Sequence, residues 1–160
     1  NSPDWAVVFE TLAEFPPLKN SVTLGEDALK KKWMKILKAA NPEDEVTNEI
    51  SVWPTGTRID VVDKGTNGKY DIYELKTRKA EPQDLYQLKM YWDGLVLEGV
   101  QPTRGVLLTP KYSDSIQDML ESMNKLPTPH MPGGSPSQPY HFLIATHQEK
   151  ALSMEGGEAQ

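Results

Sequence analysis

The chain has 160 residues, 38% of them hydrophobic, and a formal net charge of −6 at pH 7. This length suits one compact domain, and no apolar run approaches the roughly 20 residues that a membrane-spanning helix needs. The acidic balance excludes a protein that holds nucleic acid by bulk electrostatics, but not an enzyme that touches nucleic acid through a local patch.

Cysteine is absent, which excludes disulfides, thiolate zinc sites and cysteine-bound iron–sulfur clusters. The three histidines have no second histidine or acid at the helical spacing of a zinc motif. No signal-peptide pattern precedes the first helix. We therefore expect an intracellular, cytoplasmic protein without a membrane partner, and we leave a secreted effector open.

The N-terminal part of the chain predicts an extension over residues 1–23, with a short helix at 5–15 that stops before Pro16. Residues 24–40 predict an amphipathic helix, because their apolar residues recur at helical spacing. We expect the lysines of this helix to form a solvated face. Thr23 and Glu26 have the spacing of a capping box, in which Glu26 bonds back to the first turn. Glu26 also lies three residues before Leu29 and seven before Trp33, which predicts a place on the core-facing stripe of the helix, near the sheet.

Three strands are predicted next, at 45–53, 57–63 and 69–77. Residues 64–68, Lys-Gly-Thr-Asn-Gly, form a good hairpin turn, so the last two strands should pair antiparallel.

The remainder alternates helices and strands. A helix at 82–98 is capped by Gly99, and a wholly apolar strand at 105–109 is typical of a buried sheet position. A helix at 113–124, a proline-rich loop at 126–139, a strand at 140–146 and a flexible tail at 147–160 complete the chain. The predicted fold class is α/β, with a mixed central sheet flanked by helices.

Two acids and a lysine carry the chemical signal. Asp60 ends an apolar strand pattern, and Glu74 and Lys76 lie two residues apart on the next strand. Side chains at i and i+2 of a strand point to the same face, and hairpin pairing would bring Asp60 to that face. Two carboxylates and an ammonium that converge there can bind a hard divalent cation and a phosphodiester.

These residues and this element order resemble the PD-(D/E)xK nuclease superfamily, which has a restriction-endonuclease-like αβββαβ core. Ile59-Asp60 matches the acid after an apolar residue, and Glu74-Leu75-Lys76 matches (D/E)-x-K. The spacing of Gln87 and Tyr91 matches the Gln-x-x-x-Tyr of RecB-like members. The resemblance covers residues 24–109, and Gly56 lies one residue further from Asp60 than is usual in RecB-like members.

The resemblance implies a nuclease site with Mg²⁺ as cofactor, for which Mn²⁺ would substitute. It assigns metal binding to carboxylate and carbonyl oxygens, catalysis to groups around the attacked phosphate, and substrate contact to the residues beside them. The implied metal ligands are Asp60, Glu74, the carbonyl of Leu75, and Glu26; the implied catalytic residues are Asp60, Glu74, Lys76 and Gln87; the implied substrate contacts are Tyr91, Arg78 and Lys79.

Plainer roles compete with these. Asp60 and Lys76 could form an ordinary cross-strand ion pair, and Gln87 could face solvent. Glu49 is a further acid near the site, and it is expected either to have a structural role or to support the residues of the site. A lysine next to a metal ion should have a lowered pKa, because a like charge disfavours its protonated form.

The sequence as a whole predicts a Mg²⁺-dependent nuclease domain (residues 24–146) of a larger protein. DNA is favoured as its partner by family analogy. An RNA-directed or toxin-type nuclease, or a non-catalytic nucleic-acid-binding module of the same fold, remains the alternative. A double-strand cut would predict a homodimer, and a processing role would predict an additional domain.

Overall fold

The computed structural model describes residues 25–147. The predicted extension over 1–23, its helix at 5–15, Thr23 of the capping box and residues 148–160 of the tail lie outside the described residues.

The described part contains a five-stranded sheet and three helices. The helices are α1 (Glu26–Ala40), α2 (Pro82–Leu97) and α3 (Asp114–Met123); the strands are β1 (Glu45–Val52), β2 (Thr57–Lys64), β3 (Tyr70–Leu75), β4 (Arg104–Thr109) and β5 (Phe142–Thr146). No helix among residues 25–147 is long and apolar enough to cross a membrane.

The predicted mixed sheet is confirmed. The strands lie in the sheet in chain order. Strand β2 pairs antiparallel with β1 and with β3, and strand β4 pairs parallel with β3 and with β5. Each predicted element within the described residues is present, with ends that differ by up to two residues. Strand β4 is buried at every position, as the apolar run at 105–109 predicted, and the burial extends to Arg104 at its start.

The N-terminus of α1 differs from the predicted capping box. Helix α1 begins at Glu26, with Gly25 as its N-cap and no capping side chain. Glu26 therefore occupies the first helical position, where its side chain is exposed and cannot bond back as an N3 residue does. The prediction that Glu26 lies on the core-facing stripe was wrong for the same reason, since that stripe becomes buried only at Leu29.

The two faces of the sheet bury separate cores. On one face, Trp33 of α1 packs edge-on against Tyr73 of β3, with ring centroids 5.5 Å apart. On the other face, α2 and α3 cover a larger core that contains Trp92 and Phe142, whose centroids are 5.4 Å apart. The sheet is thus enclosed between two helical layers.

Helix α2 lies unusually close to the β1–β2 hairpin at Gly94. A Cβ at this position would lie 2.5 Å from Val52 Cγ2 and 2.7 Å from Trp53 Nε1. The Trp53 indole donates a hydrogen bond to the carbonyl of Met90 at 2.9 Å, which ties the hairpin to the helix.

A second buried feature is a cluster of charges at the start of β3, which we call the lower charge cluster. Its members are Asp44, Asp63, Lys69, Asp71 and Arg104, all less than 10% exposed. Lys69 Nζ lies 2.6 Å from Asp44 Oδ2 and 3.3 Å from Asp63 Oδ2, and Arg104 pairs with Asp71 at 3.2 Å. Three carboxylates face two cations, so one negative charge is in excess.

The burial of Asp63 within this negatively charged cluster shifts its pKa. Burial, together with the adjacent Asp44, raises the pKa of Asp63 to about 7. Burial also acts on Asp44, but its contacts with Asp63 and Lys69 outweigh burial and lower the pKa of Asp44. Within the described part of the chain, Asp63 Oδ1 has no hydrogen-bond partner. Asp63 is therefore the carboxyl group that takes up a proton first.

We expect Gly94→Ala to destabilise the chain by about 1–3 kcal/mol, because an added methyl overpacks the contact between α2 and the hairpin. Urea unfolding followed by circular dichroism measures this change. Gly25→Ala is the matched control, since a Cβ there meets nothing within 4 Å. Equal stability of both variants and the wild type would contradict the close packing.

Asp63→Asn should stabilise the chain at pH 8 by about 1–3 kcal/mol and have little effect at pH 5. The folded-state pKa near 7 lies above the unfolded value, so the wild type loses stability as pH rises between about 4 and 7. Asparagine carries no such charge. Urea unfolding at both pH values measures the difference, with the exposed Asp118→Asn as control. A stabilisation equal at the two pH values would contradict this account.

Candidate active site at the divergence of two strands

The candidate site begins where β2 and β3 separate. Their ladder runs from Lys64–Tyr70 to Val61–Tyr73, and the next opposed residues, Asp60 and Glu74, lie beyond its end. Asp60 fills the gap with its side chain, since its Oδ2 accepts a hydrogen bond from the Leu75 amide at 2.9 Å. A side chain thus satisfies a backbone donor that the ladder leaves unpaired.

Strand β2 also changes its orientation at Asp60. Ile59 packs into the core under α2, whereas Val61, two residues later, packs into the core under α1. In a regular strand these residues would face the same side. The irregularity places the Asp60 carboxylate at a strand junction, within reach of groups from both layers.

Glu74 lies next to Asp60 and is almost fully buried, at 2% exposed. Burial and the charge of Asp60 raise the pKa of Glu74 to about 8. One of its oxygens, Oε1, is buried without a hydrogen-bond partner among residues 25–147. A buried orphan oxygen is costly, so Oε1 lacks a donor even though the other oxygen, Oε2, contacts Lys76.

Lys76 follows on the same strand face, as the i, i+2 spacing predicted. Its Nζ lies 2.9 Å from Glu74 Oε2 and 4.0 Å from Asp84 Oδ1. Burial acts to lower its pKa, but Glu74, with help from Glu26 and Asp84, outweighs burial and raises the pKa of Lys76. These contacts favour the protonated ammonium of Lys76, whereas a neighbouring metal ion is expected to lower its pKa. The alternative cross-strand pair of Asp60 with Lys76 is not formed, because each has another partner.

Helix α2 contributes Gln87 and Tyr91, which lie one turn apart. Tyr91 is buried and faces both Glu74 and Gln87. Burial and then the negative charges of Glu74 and Asp60 raise the pKa of Tyr91, so the phenol keeps its proton. Gln87 is half-buried rather than solvent-facing. The structure thus brings both residues to the site.

Arg78 and Lys79 lie at the rim. Both are exposed. The guanidinium of Arg78 binds Asp84 through two hydrogen bonds of 2.9 Å and also pairs with Glu81 at 2.9 Å. Asp84 is fully buried and also accepts the Glu81 amide at 2.8 Å, which forms the capping box of α2. Asp84 was not identified from the sequence. Its only indication there was its place, as an acidic residue, in the first turn of a predicted helix.

Glu26 is not grouped with the two central carboxylates. It is exposed on α1 and acts on the site through its charge, which contributes to the raised pKa values of Lys76 and Arg78. Within residues 25–147, no three acidic or histidine side chains are clustered for metal binding. The site therefore offers two carboxylates, and the ligand role of Glu26 stays a prediction.

The prediction that the lysines of α1 form a solvated face holds for Lys31, Lys35 and Lys38, which are exposed, but is wrong for Lys30. Lys30 is buried, with its Nζ 3.2 Å from Asp60 Oδ1 and 3.1 Å from Glu49 Oε1. Burial lowers its pKa, but Glu49 and Asp60 together outweigh burial and raise it. Lys30 follows the buried Leu29, and this position at the border of the apolar stripe was the signal that could have revealed it.

Comparison with known proteins gives both a family and a fold. Residues 44–128 match the endonuclease NucS C-terminal domain family. The chain is 35% identical over 63 residues to endonuclease NucS of Pyrococcus abyssi. A repair endonuclease structure from Pyrococcus abyssi covers 79% of this chain, with 20% identity and a TM-score of 0.52. A complex of EndoMS with double-stranded DNA covers 67%, with 22% identity and a TM-score of 0.51.

The matches span only part of these relatives. The alignment with the Pyrococcus abyssi endonuclease covers 25% of that protein and 39% of this chain. The structural matches cover 48% and 45% of the two solved chains. The structural likeness, at this identity, shows the fold.

Asp84→Asn should destabilise the chain by about 1–2 kcal/mol, because it removes a charged acceptor from Arg78 and from the α2 cap. We keep the figure small because Arg78 is 42% exposed and water screens the pair. Urea unfolding measures the change, and Asp114→Asn, in the first turn of α3, is the matched control. A loss of stability no greater than that of the control would show that the Asp84 contacts contribute little.

Proposed function

The chain belongs to the endonuclease NucS C-terminal domain family, and we propose that it hydrolyses phosphodiester bonds in DNA with Mg²⁺ as cofactor. The observation that carries this proposal is the convergence of Asp60, Glu74 and Lys76 where β2 and β3 diverge. We interpret these residues as a PD-(D/E)xK motif, with Asp60 as its first acid and Glu74-Leu75-Lys76 as its (D/E)-x-K.

The residues present fit a hard divalent cation. Burial and the charge of Asp60 disfavour ionisation of Glu74, and Glu74 Oε1 is buried without a partner among the described residues. A cation next to both would relieve these costs, and oxygen ligands are those that Mg²⁺ prefers. Asp60, Glu74 and the carbonyl of Leu75 would hold it. When bound, such an ion acidifies a water ligand and offsets negative charge on the scissile phosphate.

Lys76 places a positively charged side chain of the protein next to Glu74. Its ammonium is held against Glu74 and directed by Asp84, so its position is defined before substrate binds. From there it can donate a hydrogen bond to the attacking water or to the negative charge that develops on the phosphate. Preorganised charge of this kind is usually a large part of catalysis.

The surrounding residues are assigned supporting roles. Gln87 is half-buried beside the site and is assigned to substrate contact, whereas the buried Tyr91 faces Glu74 and is assigned to holding that side of the site in place. Arg78 and Lys79 are exposed at the rim, so their positive charges can contact phosphates on either side of the cleaved bond. Glu26, on α1, is assigned a water-mediated role, since it is exposed and acts on Lys76 at a distance.

The relatives support DNA as the substrate and an endonuclease as the mode of cleavage. One relative is a repair endonuclease, and another is a complex with double-stranded DNA. Because the chain covers about half of those solved chains, we propose that it works as the nuclease part of a larger protein. A double-strand cut would then predict a homodimer, and a processing role would predict an additional domain.

Cleavage assays with Asp60→Ala, Glu74→Ala and Lys76→Ala test the proposal. Supercoiled plasmid, linear duplex, single-stranded DNA and RNA are incubated with Mg²⁺, Mn²⁺ or EDTA. We expect metal-dependent cutting of DNA by the wild type and a loss of about 100-fold or more in each variant, because each removes a preorganised charge. Asp118→Ala, exposed on α3, is the control and should cut normally.

Cutting that persists in all three folded variants would contradict this site. RNA cleaved in preference to DNA would replace the proposed substrate. A folded wild type that neither cuts nor binds Mn²⁺ in calorimetry would favour the non-catalytic module.

A further inference from the structure

Lys30 is a buried lysine that reaches the candidate site from the opposite helical layer. Its side chain is 10% exposed, and its ammonium contacts Glu49 at 3.1 Å and Asp60 at 3.2 Å. Its neighbours Lys31 and Lys35 on the same helix are exposed. Burying an ammonium is unfavourable unless carboxylates compensate for the lost water. The contacts with Asp60 and Glu49 therefore account for the position of this side chain.

Glu49 has an uncommon backbone conformation at the point where it meets Lys30. Its φ of 57° lies in the left-handed region, which residues with a Cβ rarely adopt. Asn48 pairs with Val61 and Ile50 pairs with Ile59, so Glu49 and Asp60 lie opposite each other between these two ladder pairs. Glu49, the strained residue of β1, thus lies opposite Asp60, where β2 changes its orientation. Lys30 bridges the carboxylates of these two residues.

Asp60 is consequently held at both oxygens by different parts of the fold. Lys30 of α1 contacts Oδ1, and the Leu75 amide of β3 donates to Oδ2. The Leu75 contact alone would leave the carboxylate free to rotate about that hydrogen bond. Contact at the second oxygen removes this freedom and keeps the remaining lone pairs of Asp60 in one orientation next to Glu74.

We propose that Lys30, secured by Glu49, is a positioning residue that fixes the Asp60 carboxylate for metal binding and cleavage. This role rests on the proposed function. It differs from the role of Lys76, which contacts Glu74 and is assigned to the substrate. Groups that orient a metal ligand typically change affinity or activity by about 10–100-fold when they are removed.

The test compares Lys30→Met, Lys30→Arg and Lys31→Met in the full chain. Methionine keeps most of the aliphatic bulk without the charge, arginine keeps the charge and its hydrogen bonds, and Lys31 is the matched exposed control. We expect Lys30→Met to lower kcat by about 10–100-fold with little change in KM for DNA. Lys30→Arg should recover most of this loss, and Lys31→Met should behave as the wild type.

A second measurement does not depend on activity. Thermal unfolding in EDTA is recorded for Lys30→Met, Asp60→Asn and the double variant. If Lys30 acts on Asp60, Lys30→Met lowers Tm strongly in the wild-type background and less in the Asp60→Asn background, because the charge it compensates has gone. An equal fall in both backgrounds would mean that Lys30 contributes through packing or through Glu49 and not through Asp60, and would overturn the positioning role.

Calorimetric titration with Mn²⁺ alone distinguishes orientation from simple repulsion. Loss of positioning predicts weaker Mn²⁺ binding by Lys30→Met, whereas a lysine that acted only by its positive charge would hinder the cation, so its removal would tighten binding. Tighter binding, or a kcat within twofold of the wild type, would overturn the proposal while leaving the proposed function intact. A wild type that neither binds Mn²⁺ nor cleaves would overturn both.

Discussion

The hydrogen bond from the Leu75 amide to Asp60 is the contact on which the candidate site depends. It allows β2 and β3 to separate after Val61 and Tyr73 without leaving a buried donor unpaired. The separation in turn makes room for two carboxylates side by side, at a place that both helical layers can reach. A regular hairpin would have continued the ladder through these residues and closed the gap. The site thus lies where the pairing of β2 and β3 ends, with a side chain in place of the next backbone acceptor.

Charges are buried at both ends of β3, but they are balanced differently. The lower charge cluster joins three carboxylates to Lys69 and Arg104, so most of its groups find a partner within it. At the other end, Lys76 lies 2.9 Å from Glu74. Each end keeps one carboxylate oxygen without a partner among residues 25–147, Asp63 Oδ1 and Glu74 Oε1. The first arrangement holds strands and turn together, whereas the second lies where Tyr91, Gln87 and the exposed Arg78 also converge.

The sequence predicted the elements and the central residues because both follow local rules. Periodicity identified the helices and strands, and the i, i+2 spacing placed Glu74 and Lys76 on one face. The misses concern contacts between distant elements. A lysine among other lysines on a helix predicts a solvent-exposed side chain. Only the irregular strand positions at Glu49 and Asp60, whose carboxylates contact Lys30, show why Lys30 is buried. Glu26 was misplaced because the first residue of a helix precedes the region where the apolar stripe packs.

The left-handed conformation of Glu49 has a consequence for the outer edge of the sheet. Strand β1 is an edge strand among the described strands, and an edge presents unpaired amides and carbonyls that can recruit another strand. A residue at φ 57° turns the backbone out of the flat, extended path that such recruitment requires. Glu45 and Glu49 add charge along the same strand. The distortion beside the candidate site should therefore also discourage intermolecular β-pairing and aggregation through this edge.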